Sequence, residues 1–512
     1  MTKLISILIV LSGLLASNAN YAQQVYFNNR YDYNNSQEVI WSVLEVDSGY
    51  MCAVGTGEIL LLHLDTLGNK VWEKSFGDSN ETFFAGRSGS LVQTVDGGYA
   101  LGGSVTESTG NNQALLVRFN SVGDTVWTKR FGGGGFDSFN QCKQTLDKGF
   151  IAIGATSSGG NDILLIKTDS LGNQQWQQTY GGAGDESGFV VIVCTDGNYL
   201  LSGFTNSFGA GGYDAYIIKV NDTGAVQWSQ TYGDANNNGG FDISQTADGG
   251  YIGSGALYQY TLSGSFPQSK PYIIKLDSLG NIEWDATYGP ARFGAGIGTI
   301  YQLSDGSFVA SGNTNNKKGT PVGNGWTQGI IMKVSSQGDS LWYRELEYAT
   351  CAENEDYVKD MKPTSDGGFI MAGFFAPMPV APCNDTGGQD MWVLKLDSCG
   401  CAYVGCDSAC QQLVGIEDLQ LTKAKLTLKI YPNPASSIAT VRIPDNTKGI
   451  RNYELRIYDI TGRELKSYAM QNQPAITINT KELGSGLYFL RLAALGGREE
   501  GRILGSGKLV VE

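Results

Sequence analysis

The chain of 512 residues contains one histidine, His63. Imidazole is the side chain from which proton shuttles, nucleophilic triads and metal sites are most often built. His63 lies two residues before Asp65, and the matching positions elsewhere in the chain are Arg118, Lys167, Lys219, Lys275, Lys333 and Lys395. It is therefore one member of a recurring basic column, expected to pair with a recurring acid. With the one histidine assigned to that column, a Ser-His-Asp triad is disfavoured, and a single histidine excludes a histidine-rich metal site. Carboxylate-only chemistry, as in glycoside hydrolysis, stays open. Yet most acids here occupy recurring turn positions, and no pair of them stands apart. The glycine-rich stretches 131–136 and 294–298 lack the strand-to-helix context of a phosphate loop. The acidic run GDANNNGGFD (233–242) offers oxygen ligands for calcium but completes no ligand loop, so no cofactor is expected.

Nine cysteines follow the leader-like N-terminus, and five of them, Cys383, Cys399, Cys401, Cys406 and Cys410, are clustered. The leader itself reads MTKLISILIVLSGLLASNANYAQQ, with Lys3 ahead of a short apolar run and small residues up to Ala22. That is the pattern of a signal peptide over 1–22, cleaved near Ala22; the run is too short to span a bilayer. Export makes disulfides the expected fate of the cysteine cluster. A zinc knuckle is disfavoured, because no histidine is near. The formal charge of −14 argues against nucleic acid or an anionic membrane as a partner. No later segment is apolar enough to span a membrane.

The elements that position these residues are repeated. The phrases DSGY, DGGY, DKGF, DGNY, DGGY, DGSF and DGGF begin at Asp47, Asp96, Asp147, Asp196, Asp248, Asp305 and Asp366. Between six of these phrases and the next stands a second one, of the form DSLGNxxW, ending on Trp72, Trp127, Trp176, Trp228, Trp284 or Trp342. A period of 49 to 61 residues marks a repeat architecture. Each unit reads as four strands. One leads into the Asp-Gly turn and one leaves it. The third is an apolar run such as DILLIKT, and the fourth carries the tryptophan. Asp-Gly pairs favour hairpins, since glycine accepts positive φ. Seven such units predict an all-β fold, a seven-bladed β-propeller with four-stranded blades over 23–410. The seventh unit lacks a tryptophan strand, and the N-terminal segment 24–33 is a strand without a unit. It is expected to complete the seventh blade and remove an exposed edge. The tryptophans are expected between blades.

Function is expected where the units differ. The connections between second and third strands lengthen in the last three units, over 257–271, 313–329 and 374–390. They carry Tyr258, Tyr260, Phe266 and Trp326, outside every repeated column. Aromatic faces among amides suit a glycan or a protein partner. The reading is a secreted or surface binding or adhesion module. The rivals are a carbohydrate-active enzyme (a polysaccharide lyase or glycosidase) and a purely structural surface protein.

After a linker at 411–426, alternating strands over 427–512 have the size of a small β-sandwich. This segment resembles the type A C-terminal sorting domain of Bacteroidetes proteins exported by the type IX secretion system. The resemblance is carried by Tyr431, Pro432, Asn433 and Pro434, by Asp459 with Gly462 and Arg463, by Gly486 and Tyr488, and by Lys508 in the last strand. It implies that these residues form the sorting signal and that the secretion machinery is a partner. It also implies passage through the periplasm to the cell surface or the medium. The remainder resembles secreted propeller-repeat proteins of the same bacteria.

Overall fold

The computed structural model describes residues 26–34, 37–157, 160–236, 238, 242–259, 268–289, 292–293, 295–315, 327–346, 355–376, 388–402, 426–442, 452–458, 464–471, 475–494 and 503–511. The chain divides into two compact units, Met1–Asp418 and Leu419–Glu512. In the first, every described element is a strand, and the strands form seven antiparallel sheets. A typical sheet runs in chain order through Asp137–Gln144, Phe150–Thr156, Asp162–Thr168 and Gln174–Tyr180. The middle strands are mostly apolar and buried because neighbouring sheets cover both of their faces. Ile59–Leu64 is buried at every residue, whereas the outermost Gln174–Tyr180 is mostly exposed.

The first strand of each sheet packs against the first strand of the next. The cycle is complete, because Val39–Val46 of the first sheet meets Glu355–Pro363 of the last. One apolar cluster joins those two sheets, with Ile40, Val43 and Leu62 against Ile370, Ala372 and Val393. The arrangement is propeller-like. In the last sheet the outermost strand is Phe27–Tyr31, antiparallel to Asp390–Leu396, with Phe27 opposite Lys395 and Tyr31 opposite Met391. No edge of that sheet is left short of a fourth strand.

The two recurring phrases form two kinds of loop. In the DSLGN loop the leading side chain folds back on its own backbone. Asp169 Oδ1 accepts the N–H groups of Leu171 at 2.9 Å and Asn173 at 2.8 Å. Asn120, Asn221 and Ser335 replace the aspartate in the same role, which is why the looser copies keep the loop. The glycine has positive φ and also lies under an aromatic ring. Gly280 has φ +84°, and a Cβ there would come within 2.9 Å of Trp228 of the preceding unit. Gly123, Gly172, Gly224, Gly338 and Gly400 meet Trp72, Trp127, Trp176, Trp284 and Trp342 likewise. Gly68 meets Phe27 instead. The tyrosine four residues after the ring fastens the contact, since the hydroxyls of Tyr180, Tyr232 and Tyr288 donate to Gly224, Gly280 and Gly338 carbonyls at 2.6–2.7 Å. Tyr31 donates to Gly68 at 2.5 Å. Thus FNNRY is the seventh copy of WQQTY, with phenylalanine in place of tryptophan.

In the C-terminal unit, Leu426–Thr427, Asn452–Tyr458, Glu464–Gln471, Gly486–Ala494 and Ile503–Val511 form one sheet. Lys429–Tyr431, Ile438–Arg442 and Ala475–Asn479 form a second. The only described helical turn is Thr480–Glu482. Leu455, Ile457, Leu490 and Leu492 of the larger sheet share a core with Ala439, Val441 and Ile478 of the smaller.

Candidate functional site

The recurring acids and bases meet as ion pairs at the Asp-Gly hairpins. Lys167, Lys219, Lys275, Lys333 and Lys395 lie 2.7–3.0 Å from Asp147, Asp196, Asp248, Asp305 and Asp366, and Arg118 pairs with Asp96. In four of the hairpins a threonine two residues before the aspartate donates to the same carboxylate. Burial works against the charge on Asp248, but Thr246, Lys275 and the Gly250 N–H hold its carboxyl down to about 2. His63 has no such acid. In its hairpin Val46 pairs directly with Gly49, leaving two residues in the loop. In the other hairpins three residues intervene, as between Thr145 and Gly149. The shortening moves Asp47 out of reach, and Ser48 Oγ meets His63 Nε2 at 3.0 Å. Burial then pushes the imidazole below its ordinary value, with Asp65 opposing. A neutral side chain stands where no carboxylate arrives, so His63 has a structural role.

The unrepeated polar residues gather instead around the axis of the ring. Five of the first strands carry a β-bulge at one position, and the extra residue is Trp41, Asn140, Phe189, Gly298 or Lys359. A bulge leaves one residue unpaired and re-aims its side chain. Here the strand is covered on both faces by its neighbours, so a half-buried bulge side chain reaches solvent along the axis. The position is repeated; the residue type is not. In the second sheet a larger interruption, 86–90, separates Thr82–Ala85 from Leu91–Gln93 and brings in Arg87, Ser88 and Gly89.

Two groups result. In the first, the Lys359 ammonium lies 5.0 Å from the ring centres of Trp41 and Tyr357 and 5.3 Å from that of Phe374. The Arg87 guanidinium stacks 4.5 Å over Phe189, which packs edge-on against Phe204. Burial pushes the Lys359 ammonium below its ordinary value, and Arg87 adds to the shift.

The second group is centred on Asp360, fully buried. Its carboxylate accepts from Ser42 Oγ, Val43 N, Ser88 Oγ, Gly89 N, Met361 N and Lys362 Nζ at 2.8–3.3 Å. It thereby ties the seventh sheet to the first and second. Lys362 also donates to Tyr301 Oη at 2.8 Å. Lys143 donates to the Gly89 carbonyl at 3.2 Å, and Asp242 accepts from the Ile300 N–H at 3.2 Å. Burial pushes the Asp242 carboxyl up to about 7, with Lys362 opposing and Asp360 adding to the rise. Burial and the charge of Lys362 push the Lys143 ammonium down to about 8. Tyr301 is pushed up to about 12 by burial, against the pull of Lys362. Of this group, the Asp242 carboxyl and the Lys143 ammonium are the two whose proton affinities are brought near neutrality.

Apart from Asp242, which ends the acidic run 233–242, none of these axial residues was singled out by the sequence. The bulge residues share one structural position but differ in side chain, so alignment of the units treats them as variation. The other residues that were singled out lie elsewhere. Tyr258 is in Tyr251–Gln259, its backbone opposite Ser269; its side chain, and Tyr260, Phe266 and Trp326 entirely, lie outside the described residues. Among the described residues one trio of carboxylates, Asp32, Glu38 and Asp390, is close enough to share a cation. Arg30 already pairs with Asp390 there. In the calcium-like run, Asp234 accepts from the Asn236 N–H at 2.9 Å and from Asn238 Nδ2 at 3.0 Å. Cys52, Cys142 and Cys194 are free and buried, the first two within strands and the third just after Glu186–Val193. Among the described residues no helix is long and apolar enough to cross a membrane.

In the C-terminal unit Asn433 Oδ1 accepts the Val510 N–H at 2.7 Å, and the Ala435 N–H donates to the Val510 carbonyl at 2.8 Å. The Tyr-Pro-Asn-Pro motif is thus docked on the terminal strand, while Tyr431 itself is half exposed. Tyr488, buried, donates to the Gly484 carbonyl at 2.6 Å, and Gly486 lies opposite Val511. Lys508 is opposite Phe489 in the same pair of strands. Asp459, Gly462 and Arg463 lie outside the described residues.

No curated protein matches the chain. Among solved structures it is similar to a Bacteroides caccae protein of unknown function, at 11% identity over 61% of this chain and 94% of that one, with a TM-score of 0.35. Sqt1 from Chaetomium thermophilum is similar at 13% identity over 73% and 91%, with a TM-score of 0.40. The WD40 domain of SCAP from fission yeast is similar at 10% over 68% and 82%, with a TM-score of 0.34. At these scores the likenesses carry no statement about ligands. Residues 429–504 match the family described as the secretion system C-terminal sorting domain. The C-terminal segment is therefore the sorting domain of a protein exported by the type IX system.

Proposed function

We propose that the chain is a seven-bladed β-propeller that serves as a binding or adhesion module at the cell surface or in the medium. A signal peptide over 1–22 starts its export. The propeller, over 23–410, is closed by its N-terminal strand, and a linker at 411–426 leads to a β-sandwich sorting domain at 427–512. The cysteine cluster at 383–410 forms disulfides once exported. Tyr431 to Pro434, Asp459, Gly462, Arg463, Gly486, Tyr488 and Lys508 act in sorting. One observation carries the binding role. The repeated polar residues are consumed by hairpins, whereas the unrepeated ones converge on the axial opening with cations and rings still accessible. Concave sites with a few convergent polar groups are the usual place for ligands. The rim aromatics Tyr258, Tyr260, Phe266 and Trp326 would extend that surface outward.

The experiment is a glycan and surface-protein binding screen of the purified protein, with Trp41→Ala as the control at the axis. Loss of capture in Trp41→Ala supports the reading; equal capture places binding elsewhere. Removal of 427–512 should leave a folded protein in the periplasm, and its normal appearance in the medium would contradict the sorting role. A second reading, a polysaccharide lyase or glycosidase, is favoured by one set of contacts. Asp242, Tyr301, Lys143 and Lys362 combine a carboxyl near neutrality with amines and a phenol. Chain-length analysis of glycans after incubation separates the two. A protein that neither captures nor cleaves would be purely structural.

A further inference from the structure

We infer that the axial opening binds an anionic saccharide, its acidic substituent seated between Arg87 and Lys359. This rests on the axial binding role proposed above and names the ligand class. Among the described residues neither cation has a carboxylate partner: each is held by aromatic rings, Arg87 by Phe189 and Lys359 by Trp41, Tyr357 and Phe374. This contrasts with the six hairpin cations, each of which has its own aspartate. What sets these two apart is that each rests on aromatic rings, in a chain whose formal charge is −14.

The surroundings reinforce the sign. Lys143 adds one more positive group, while Lys362 and Asp360 form an ion pair and offset each other. Asp242, at about 7, is only partly ionised at neutral pH. The wall is therefore net positive where ligand would enter. A cation resting on a ring is already partly desolvated, so an arriving carboxylate or sulfate gains a charge-assisted hydrogen bond at reduced cost. The half-buried Trp41, Phe189 and Tyr357 supply flat apolar surface beside the charge. That pairing suits a pyranose ring bearing an acidic group better than a flexible acidic peptide, whose backbone offers no comparable face.

The test is calorimetric titration of the purified protein with oligogalacturonate, a sulfated oligosaccharide, a neutral oligosaccharide of the same length and oligoglutamate. One or both anionic saccharides should bind at least about ten-fold more tightly than the neutral one, and the affinity should fall with added salt. Arg87→Gln and Lys359→Met should each weaken that binding by about ten-fold, whereas Arg87→Lys, which keeps the charge, should retain most of it. Which anion binds decides between carboxylate and sulfate as the source. Equal binding of the neutral sugar, weakened by Trp41→Ala, overturns the anionic class and leaves the axial role standing. Equal binding of oligoglutamate overturns the saccharide. Binding of none overturns both. Melting curves of each variant guard against misfolding, and the salt dependence of the unaltered protein tests the proposal without any substitution.

Discussion

The hairpin ends and the axis of the ring use the same residue types to opposite effect. At the hairpins, an aspartate in the turn meets a lysine on the third strand, the acid partly solvated and the amine mostly buried, and one arrangement is repeated from sheet to sheet. Each pair there is a local device, and surface pairs of this kind contribute little individually. At the axis, Asp360 joins three sheets through six donors and no other residue repeats it. The difference is one of redundancy. A ring can lose one of many equal fasteners, but it has a single Asp360. The largest effect expected from breaking the comparison therefore involves a part that is unique in origin, the closing strand. Removal of residues 27–31 would leave the last sheet with a bare edge and uncover Gly68 and Trp392, whose indole donates to Asn28 at 2.6 Å. The expected outcome is aggregation or a collapsed melting transition, read by light scattering and calorimetry. A protein that still melts cooperatively at the original temperature would show that the ring closes without it.

Next in size is Asp360→Ala. It strands Lys362 and three buried backbone N–H groups in the core, and the expected loss is about 3–5 kcal/mol by denaturant titration. Lys219→Met at a hairpin should cost less, about 1 kcal/mol, because Asp196 is half exposed and can hydrate. Equal costs would abolish the distinction between axis and periphery.

The two regions also differ in their response to pH. Asp248 and Asp305 are held down to about 2 against burial, so the stability they contribute is present above about 4, the ordinary carboxylate value, and is lost as pH falls through about 2. Asp242 behaves in reverse. Its folded value is raised to about 7, so its contribution is full below about 4 and is lost as pH rises through 7. Melting temperature should fall between pH 5 and pH 8 on that account. Asp242→Asn should flatten this window and leave the acid limb unchanged. An unchanged slope in the variant would mean that Asp242 is not the group titrating there.

What could be read from the chain follows the same division. The Asp-Gly and DSLGN phrases recur because each solves one local problem of φ or hydrogen bonding, so period and strand order were visible. The identity of the closing strand was partly hidden, because Phe27 stands where six tryptophans stand; the spacing of Phe27 and Tyr31 was the available signal. Trp41 and Lys359 were invisible, because a bulge fixes where a residue goes without fixing its type, and Arg87 was hidden in an interruption that the other units lack. Periodicity detects what a fold needs many times. A site needed once appears as noise against it.

The smallest expected effect is at His63, and it sharpens the comparison most directly. The hairpin before it is shorter by one residue than the others, so no carboxylate reaches the position that Lys167 or Lys275 fills elsewhere. A lysine introduced there would be buried opposite Ser48 with no acid, and His63→Lys should cost about 1 kcal/mol. His63→Gln, which can still hydrogen-bond Ser48, should cost less. If the missing acid is the reason for the histidine, Ser48→Asp together with His63→Lys should recover the loss. The double-mutant cycle should then show a favourable coupling of at least about 0.5 kcal/mol. A coupling indistinguishable from zero would mean that the short loop cannot present an acid at all. His63 would then be fixed by its packing on Trp72, whose ring centre is 5.3 Å away, rather than by charge.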